Sequence, residues 1–225
     1  QATKIAESLR ALGNTQIINR QAHYLCEQAN ALVNQKRDQE AKALLEKAID
    51  ISPKSVRPHI DLASVTERLG DSAKAYEILS SLIVQDSHIT PIFAQQFVRL
   101  AQACGHVDQA LGLLLASYKK KPSLDVVDAI VQLDAFSSTD TSARDWYVKH
   151  LERAPSLVAA AKWISGEKLE HEQFHPQVQR ALDHAVTPLK RYRCTNCGFE
   201  ATQHHWNCPG CQSWDSYPAL RIEEL

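Results

Sequence analysis

The residues best equipped for chemistry lie near the end of this 225-residue chain, in Cys194-x2-Cys197-x10-Cys208-x2-Cys211. Two C-x2-C pairs at this separation suit a tetrahedral site of four thiolates. Each pair predicts a tight knuckle with backbone N–H groups pointing at sulfur. Gly198 after the first pair and Pro209-Gly210 inside the second are expected to supply the turn geometry. So short a segment has little core of its own, so a bound ion should provide most of its folding energy. Two disulfides are the competing arrangement. They need an oxidising compartment, and they leave Cys26 and Cys104 on helices as buried free thiols. Four cysteines accept zinc or iron, and a closed four-thiolate zinc site is structural, with no open position for water. The expected cofactor is therefore one zinc or iron ion held by Cys194, Cys197, Cys208 and Cys211.

Around these cysteines stand Tyr192, Phe199, Trp206, Trp214 and Tyr217. They could stack nucleic-acid bases, but they read better as the ribbon's own small core and its contact with the preceding helices. Lys190, Arg191 and Arg193 add too little positive charge to change that. A second metal-like pattern, His171-Glu172-Gln173-Phe174-His175, matches H-E-x-x-H. That chemistry needs both histidines on one face of a regular helix, with a third ligand and a cleft. Pro176 follows directly and disfavours helical geometry at His175, so the pattern is expected to be an exposed helix end.

The elements that must carry the cysteine module repeat. Ala29, Ala41, Leu45, Ala48 and Pro53 set a frame that recurs 34 residues later at Ala63, Ala75 and Leu79, then 35 residues on from these at Ala110 and Leu114. A weaker fourth copy has Ala143, Tyr147 and Pro155. Gly70 and Gly105 keep one offset from Ala75 and Ala110, which places a hairpin turn at each. Small residues let two helices approach closely, large ones fill the layer between hairpins, and proline stops the second helix. A 34-residue period matches the tetratricopeptide repeat. Polar positions on first helices, Asn30, Asn34 and Arg68, are candidate partner-binding residues of such an array. Ala2, Ile5, Ala6 and Leu9, with a stop at Gly13-Asn14, predict the second helix of a hairpin whose first helix lies upstream. After Pro155 the frame fades, and residues 156–170 and 177–187 read as two further helices punctuated by Pro176 and Pro188.

The expected fold is mainly α: a tetratricopeptide-repeat superhelix with a small C-terminal four-cysteine zinc ribbon. Residues 1–155 form the array with its first hairpin incomplete, 156–190 the capping and linker helices, and 191–225 the metal ribbon. A net charge of −1 provides no field that would collect nucleic acid. Neither a nucleotide-binding glycine loop nor a G-x-S-x-G elbow is present. The chain therefore reads as a protein-binding adaptor, not an enzyme. Electron transfer through an iron centre and a ribbon that binds nucleic acid are the rival classes.

The run Tyr192-Arg-Cys-Thr-Asn-Cys-Gly-Phe199, then Trp206-Asn-Cys-Pro-Gly-Cys-Gln-Ser-Trp214, resembles a rubredoxin-type knuckle pair shortened between its halves. Placed after tetratricopeptide repeats, it resembles the lipopolysaccharide assembly protein B family of Gram-negative bacteria. The resemblance implies an inner-membrane protein with one N-terminal span, absent from this chain, and a repeat array on the cytoplasmic side. It further implies that the protein restrains lipopolysaccharide synthesis by helping a membrane-bound AAA+ metalloprotease degrade the deacetylase that commits the pathway. Only the four cysteine ligands carry over residue by residue.

Overall fold

A computed structural model describes residues 15–136, 143–166 and 174–225. The helix expected over Ala2 to Leu9 lies outside them. The fold is mainly α. Helix α1 (Thr15–Asn34) and α2 (Asp38–Ile51) form one hairpin, and α3 (Val56–Arg68) and α4 (Ser72–Gln85) form the next. They are followed by α5 (Thr90–Cys104), α6 (Val107–Lys120), α7 (Leu124–Asp134), α8 (Ala143–Leu151), α9 (Leu157–Ser165) and α10 (His175–Val186). The chain ends in β1 (Tyr192–Arg193), β2 (Glu200–Ala201) and a 3-10 turn at Ile222–Glu224. Two compact units are formed, one running to Gln85 together with Arg99–His106, the other made of Asp86–Val98 and Val107–Leu225.

Helical spacing accounts for the first unit's core. Ala22, Leu25, Cys26 and Ala29 recur every three or four residues on α1 and are buried, as are Ala41, Leu45 and Ala48 on α2. The alanines that mark the repeat frame, at 29, 41, 63, 75 and 110, all have no exposed surface. A larger side chain at any of these positions would force the helices apart. In the second unit α6 packs on α7, α7 on α8, α8 on α9 and α9 on α10. The repeat outlasts its residue signature: first helices begin at 56, 90, 124 and 157. The fading expected after Pro155 is a change of residue types, not of backbone spacing. Helix α9 still buries Val158, Ala159 and Ala161, here against Leu182 and Val186.

Three hairpin turns share one hydrogen-bond pattern. Arg37 N–H donates to Leu32 C=O and Lys36 N–H to Val33 C=O; Asp71 and Gly70 donate to Thr66 and Glu67; His106 and Gly105 donate to Ala101 and Gln102. These are Schellman closures, which place one residue in the left-handed region. Gly70 (φ +90°) and Gly105 (φ +70°) fill that place as expected, whereas the first turn uses Lys36 at φ +61°. Pro176 is also placed differently from its expected role as punctuation before a helix. It sits in the first turn of α10, with His175 opening the helix, because a missing N–H costs nothing where no intrahelical partner exists.

A methyl group at Gly70 would meet nothing within 4 Å, so substitution there is opposed by backbone conformation alone. Gly70→Ala is expected to lower the unfolding free energy by about 1 kcal/mol. Lys36→Gly, at the equivalent position, should not be destabilising by a similar amount. Paired denaturant titrations of the two variants check this.

Candidate metal centre

Two short loops carry the four cysteines and are built alike. Cys194 N–H donates to Phe199 C=O and Gly198 N–H to Cys194 C=O, at 2.9 Å each. Cys208 N–H donates to Ser213 C=O at 2.9 Å and Gln212 N–H to Cys208 C=O at 2.8 Å. The fourth residue after each leading cysteine is left-handed: Gly198 at φ +76° and Gln212 at φ +58°. In the second knuckle Pro209 and Gly210 lie in the turn as expected, while the left-handed place falls to Gln212. Gly210 seats Phe199 closely, since a Cβ there would come to 3.1 Å from its ring and the ring would have to shift.

The loops bring Cys194 Sγ to 3.9 Å from Cys211 Sγ and Cys197 Sγ to 3.6 Å from Cys208 Sγ. All four sulfurs lie within 4.8 Å of one another. Tetrahedral coordination with metal–sulfur bonds of about 2.3 Å separates sulfurs by about 3.8 Å, so the set fits one ion. It does not fit disulfides, whose sulfurs stand about 2.05 Å apart, and the six cysteines are free thiols. Of the two cysteines outside the site, Cys26 is buried as expected while Cys104 is partly exposed. Burial raises the Cys26 thiol well above its ordinary value, which keeps it protonated and inert.

Polar side chains support the sulfurs. Asn196 Nδ2 donates to Cys211 Sγ at 3.3 Å and to Ser213 Oγ at 2.9 Å. Ser216 Oγ lies 3.3 Å from Cys194 Sγ. The hydrogen bond from Asn196, followed by that from Ser213, lowers the Cys211 thiol to about 6, which favours the thiolate a metal requires. Cys194 and Cys208 are buried with Tyr192 and Tyr217 in one cluster. Sequence patterning missed His204, whose ring centre lies 5.6 Å from that of Tyr192 and 4.7 Å from that of Trp206. Its Nε2 is 3.1 Å from Tyr217 C=O, and burial lowers its basicity. Of the five expected core aromatics, Tyr192 and Tyr217 are buried, while Phe199 keeps 43% of its surface exposed.

The tail beyond the knuckles ties them to the helices of the second unit. Arg221 makes a two-point ion pair with Asp125 at 2.8 and 3.0 Å, donates to Lys190 C=O at 2.7 Å and stacks 4.2 Å over Tyr192. Glu224 accepts from Leu124 N–H at 2.7 Å, at the start of α7. Glu223 accepts from Ser156 Oγ at 2.8 Å and Val158 N–H at 3.3 Å, at the start of α9. Each carboxylate meets unsatisfied helical N–H groups and the positive end of a helix dipole. Docking was expected from the final helices; it also involves α7, through a charge pattern only the fold brings together.

Asn30 and Asn34 are exposed on α1. Arg68, at the end of α3, is held by Asp38 at the start of α2, at 3.0 and 3.3 Å. His171, Glu172 and Gln173 lie outside the described residues. His175 begins α10 with its Nε2 3.2 Å from Ile164 C=O.

Residues 192–217 match the family described as the rubredoxin metal binding domain. Lipopolysaccharide assembly protein B of Escherichia coli K12 is 24% identical over 226 residues, spanning 98% of this chain. The chain resembles lipopolysaccharide assembly protein B along its length. The protein of that name from Haemophilus influenzae is 23% identical across 100% of the chain. The chain spans 58% of the length of both lipopolysaccharide assembly proteins. A solved structure titled MamA RS-1 ArsTM double mutant overlays at a TM-score of 0.48 with 10% identity, covering 74% of this chain and 96% of that one. Among the described residues, no helix is long and apolar enough to cross a membrane.

Cys208→Ser is expected to abolish stoichiometric metal binding and to release the ribbon from α7 and α9, read by metal analysis and by hydrogen exchange at Leu124 and Val158. A second expectation concerns Glu224, whose carboxyl is raised above its ordinary 4.5 chiefly by burial, against hydrogen bonds from Leu124 and Arg221. A carboxyl raised on folding stabilises fully below its unfolded value, and that contribution is lost as pH rises through the folded value. Glu224→Gln retains an acceptor for Leu124 N–H without the charge. Its melting temperature should therefore gain on that of the unsubstituted protein as pH rises from about 4 to about 7.

Proposed function

We propose that the chain is a non-enzymatic protein-binding adaptor in the control of lipopolysaccharide synthesis. The observation that carries this reading is the resemblance to lipopolysaccharide assembly protein B over 98% of the chain, together with a four-thiol site that fits a structural ion. The repeated hairpins form a tetratricopeptide array, which has no chemistry of its own and acts through what it holds. The ribbon, with Cys194, Cys197, Cys208 and Cys211 as ligands of one zinc or iron ion, closes one end of that array. When bound, the ion supplies a fixed tetrahedral crosslink. The chain's own part is to hold that crosslink against α7 and α9 through Arg221, Glu223 and Glu224.

The client in this reading is the deacetylase that commits the pathway, delivered to a membrane-bound AAA+ metalloprotease. The full-length protein is anchored in the bacterial inner membrane by a segment outside this sequence, with the array on the cytoplasmic side. Asn30 and Asn34, exposed on α1, are proposed as partner contacts, as is Arg68 with its partner Asp38.

The test is pulse-chase of the deacetylase in cells whose own copy of the adaptor is replaced by full-length protein. The unsubstituted protein should shorten deacetylase half-life, and a Cys194→Ser, Cys197→Ser double variant should lose most of that effect. An unchanged half-life with unsubstituted, metal-loaded protein would remove the deacetylase as client. Full activity of the double variant would remove the ribbon from the mechanism.

A further inference from the structure

A second site lies in the same unit, in a cleft of about 330 Å³ lined by Leu115, Tyr118 and Lys119 of α6, Trp146 and Lys149 of α8, and Glu152 and Arg153 beyond it. We propose that this cleft binds a phosphate-monoester dianion carried on a compact, hydroxyl-bearing body.

The aromatic walls are fixed from behind. Trp146 Nε1–H donates to Asp134 Oδ2 at 2.9 Å, and Tyr118 Oη lies 3.0 Å from His150 Nδ1. Asp134, Tyr118 and His150 are all buried, so both rings are anchored in the interior. Each ring in turn carries a cation at the cleft. Lys149 Nζ sits 4.3 Å from the Trp146 ring centre, and Arg153 Cζ sits 5.2 Å from that of Tyr118. Stacking of this kind positions a charge without neutralising it, and groups held in place before binding lose less entropy when a ligand arrives.

The charges are unbalanced. Lys119, Lys149 and Arg153 face one carboxylate, Glu152, and none of the three cations has an ion-pair partner among the described residues. Lys119 and Lys149 occupy the last turns of their helices, where the helix dipole tolerates positive charge. Arg153 lies past the end of α8 and has no such support. Among the residues lining the cleft, with the buried Asp134 carboxylate behind Trp146, the surplus of two positive charges suits a phosphate monoester better than a single carboxylate. Arginine's fork can bond two phosphate oxygens at once. Glu152 is then free to accept from ligand hydroxyls, and Leu115 offers an apolar floor. The volume is at the small end of ligand pockets, which favours a phosphate on a sugar-sized body over a polymer.

The test is calorimetric titration of the metal-loaded protein at low ionic strength with glucose 6-phosphate, inorganic phosphate and glucose. Glucose 6-phosphate should bind, and glucose should not. Lys149→Gln and Arg153→Gln should each weaken binding about tenfold, with circular dichroism unchanged. Lys54→Gln, an exposed charge remote in sequence, should leave affinity intact. Inorganic phosphate binding as tightly as the ester, with the same sensitivity to both variants, would overturn the hydroxyl-bearing body and leave a site for free phosphate. Absence of binding by both phosphates at about 10 mM, or binding weakened equally by Lys54→Gln, would overturn the proposal.

Discussion

Four sulfur atoms within 4.8 Å of one another set the form of the two knuckles from Cys194 to Ser213. The ribbon has two strands of two residues each and a buried cluster in which two of the four members are the cysteines themselves. So small a core cannot offset the ordering of the chain. What orders it is the paired knuckle, where six residues close on one leading cysteine and bring its partner sulfur into the same small volume. Every other feature follows from that crowding: the left-handed residue after each pair, the close seat of Phe199 on Gly210, and the hydrogen bonds that hold charge on Cys211.

The crowded ribbon would be a separate bead were it not for its tail. Arg221 spans the junction, bonded to Asp125 on one side and stacked on Tyr192 on the other. Glu223 and Glu224 then meet the starts of α9 and α7, groups that every helix leaves unsatisfied. The junction therefore uses existing helix ends. It also joins the stability of a metal site to that of two helices of the second unit.

Much of this was legible in the residues. The cysteine spacing predicted a common centre because ligand chemistry tolerates few alternatives to two C-x2-C pairs. The repeat frame was legible because buried alanines at helix crossings are constrained by volume, and Ala29, Ala41, Ala63, Ala75 and Ala110 are all fully buried. Backbone conformation was less legible wherever it did not select glycine. Gly70 and Gly105 marked their turns, but Lys36 performs the same turn unmarked, and Gln212 does so in the second knuckle. A left-handed conformation costs a non-glycine residue only about 1–2 kcal/mol, which surrounding hydrogen bonds can offset.

The sequence by itself determined the spacing of ligands, the period of the helices and the residues too small to be replaced, since each is carried by residue types at regular offsets along the chain. Only the tertiary structure decided which charges meet. Asp125 and Arg221, Leu124 and Glu224, and Ser156 and Glu223 are each separated by 65 or more residues. No local periodicity records such pairs, because a surface charge fits its own helix equally well with or without a partner. The same reason hid the cleft of Lys119, Lys149 and Arg153, whose cations come together only when α6 and α8 pack around α7.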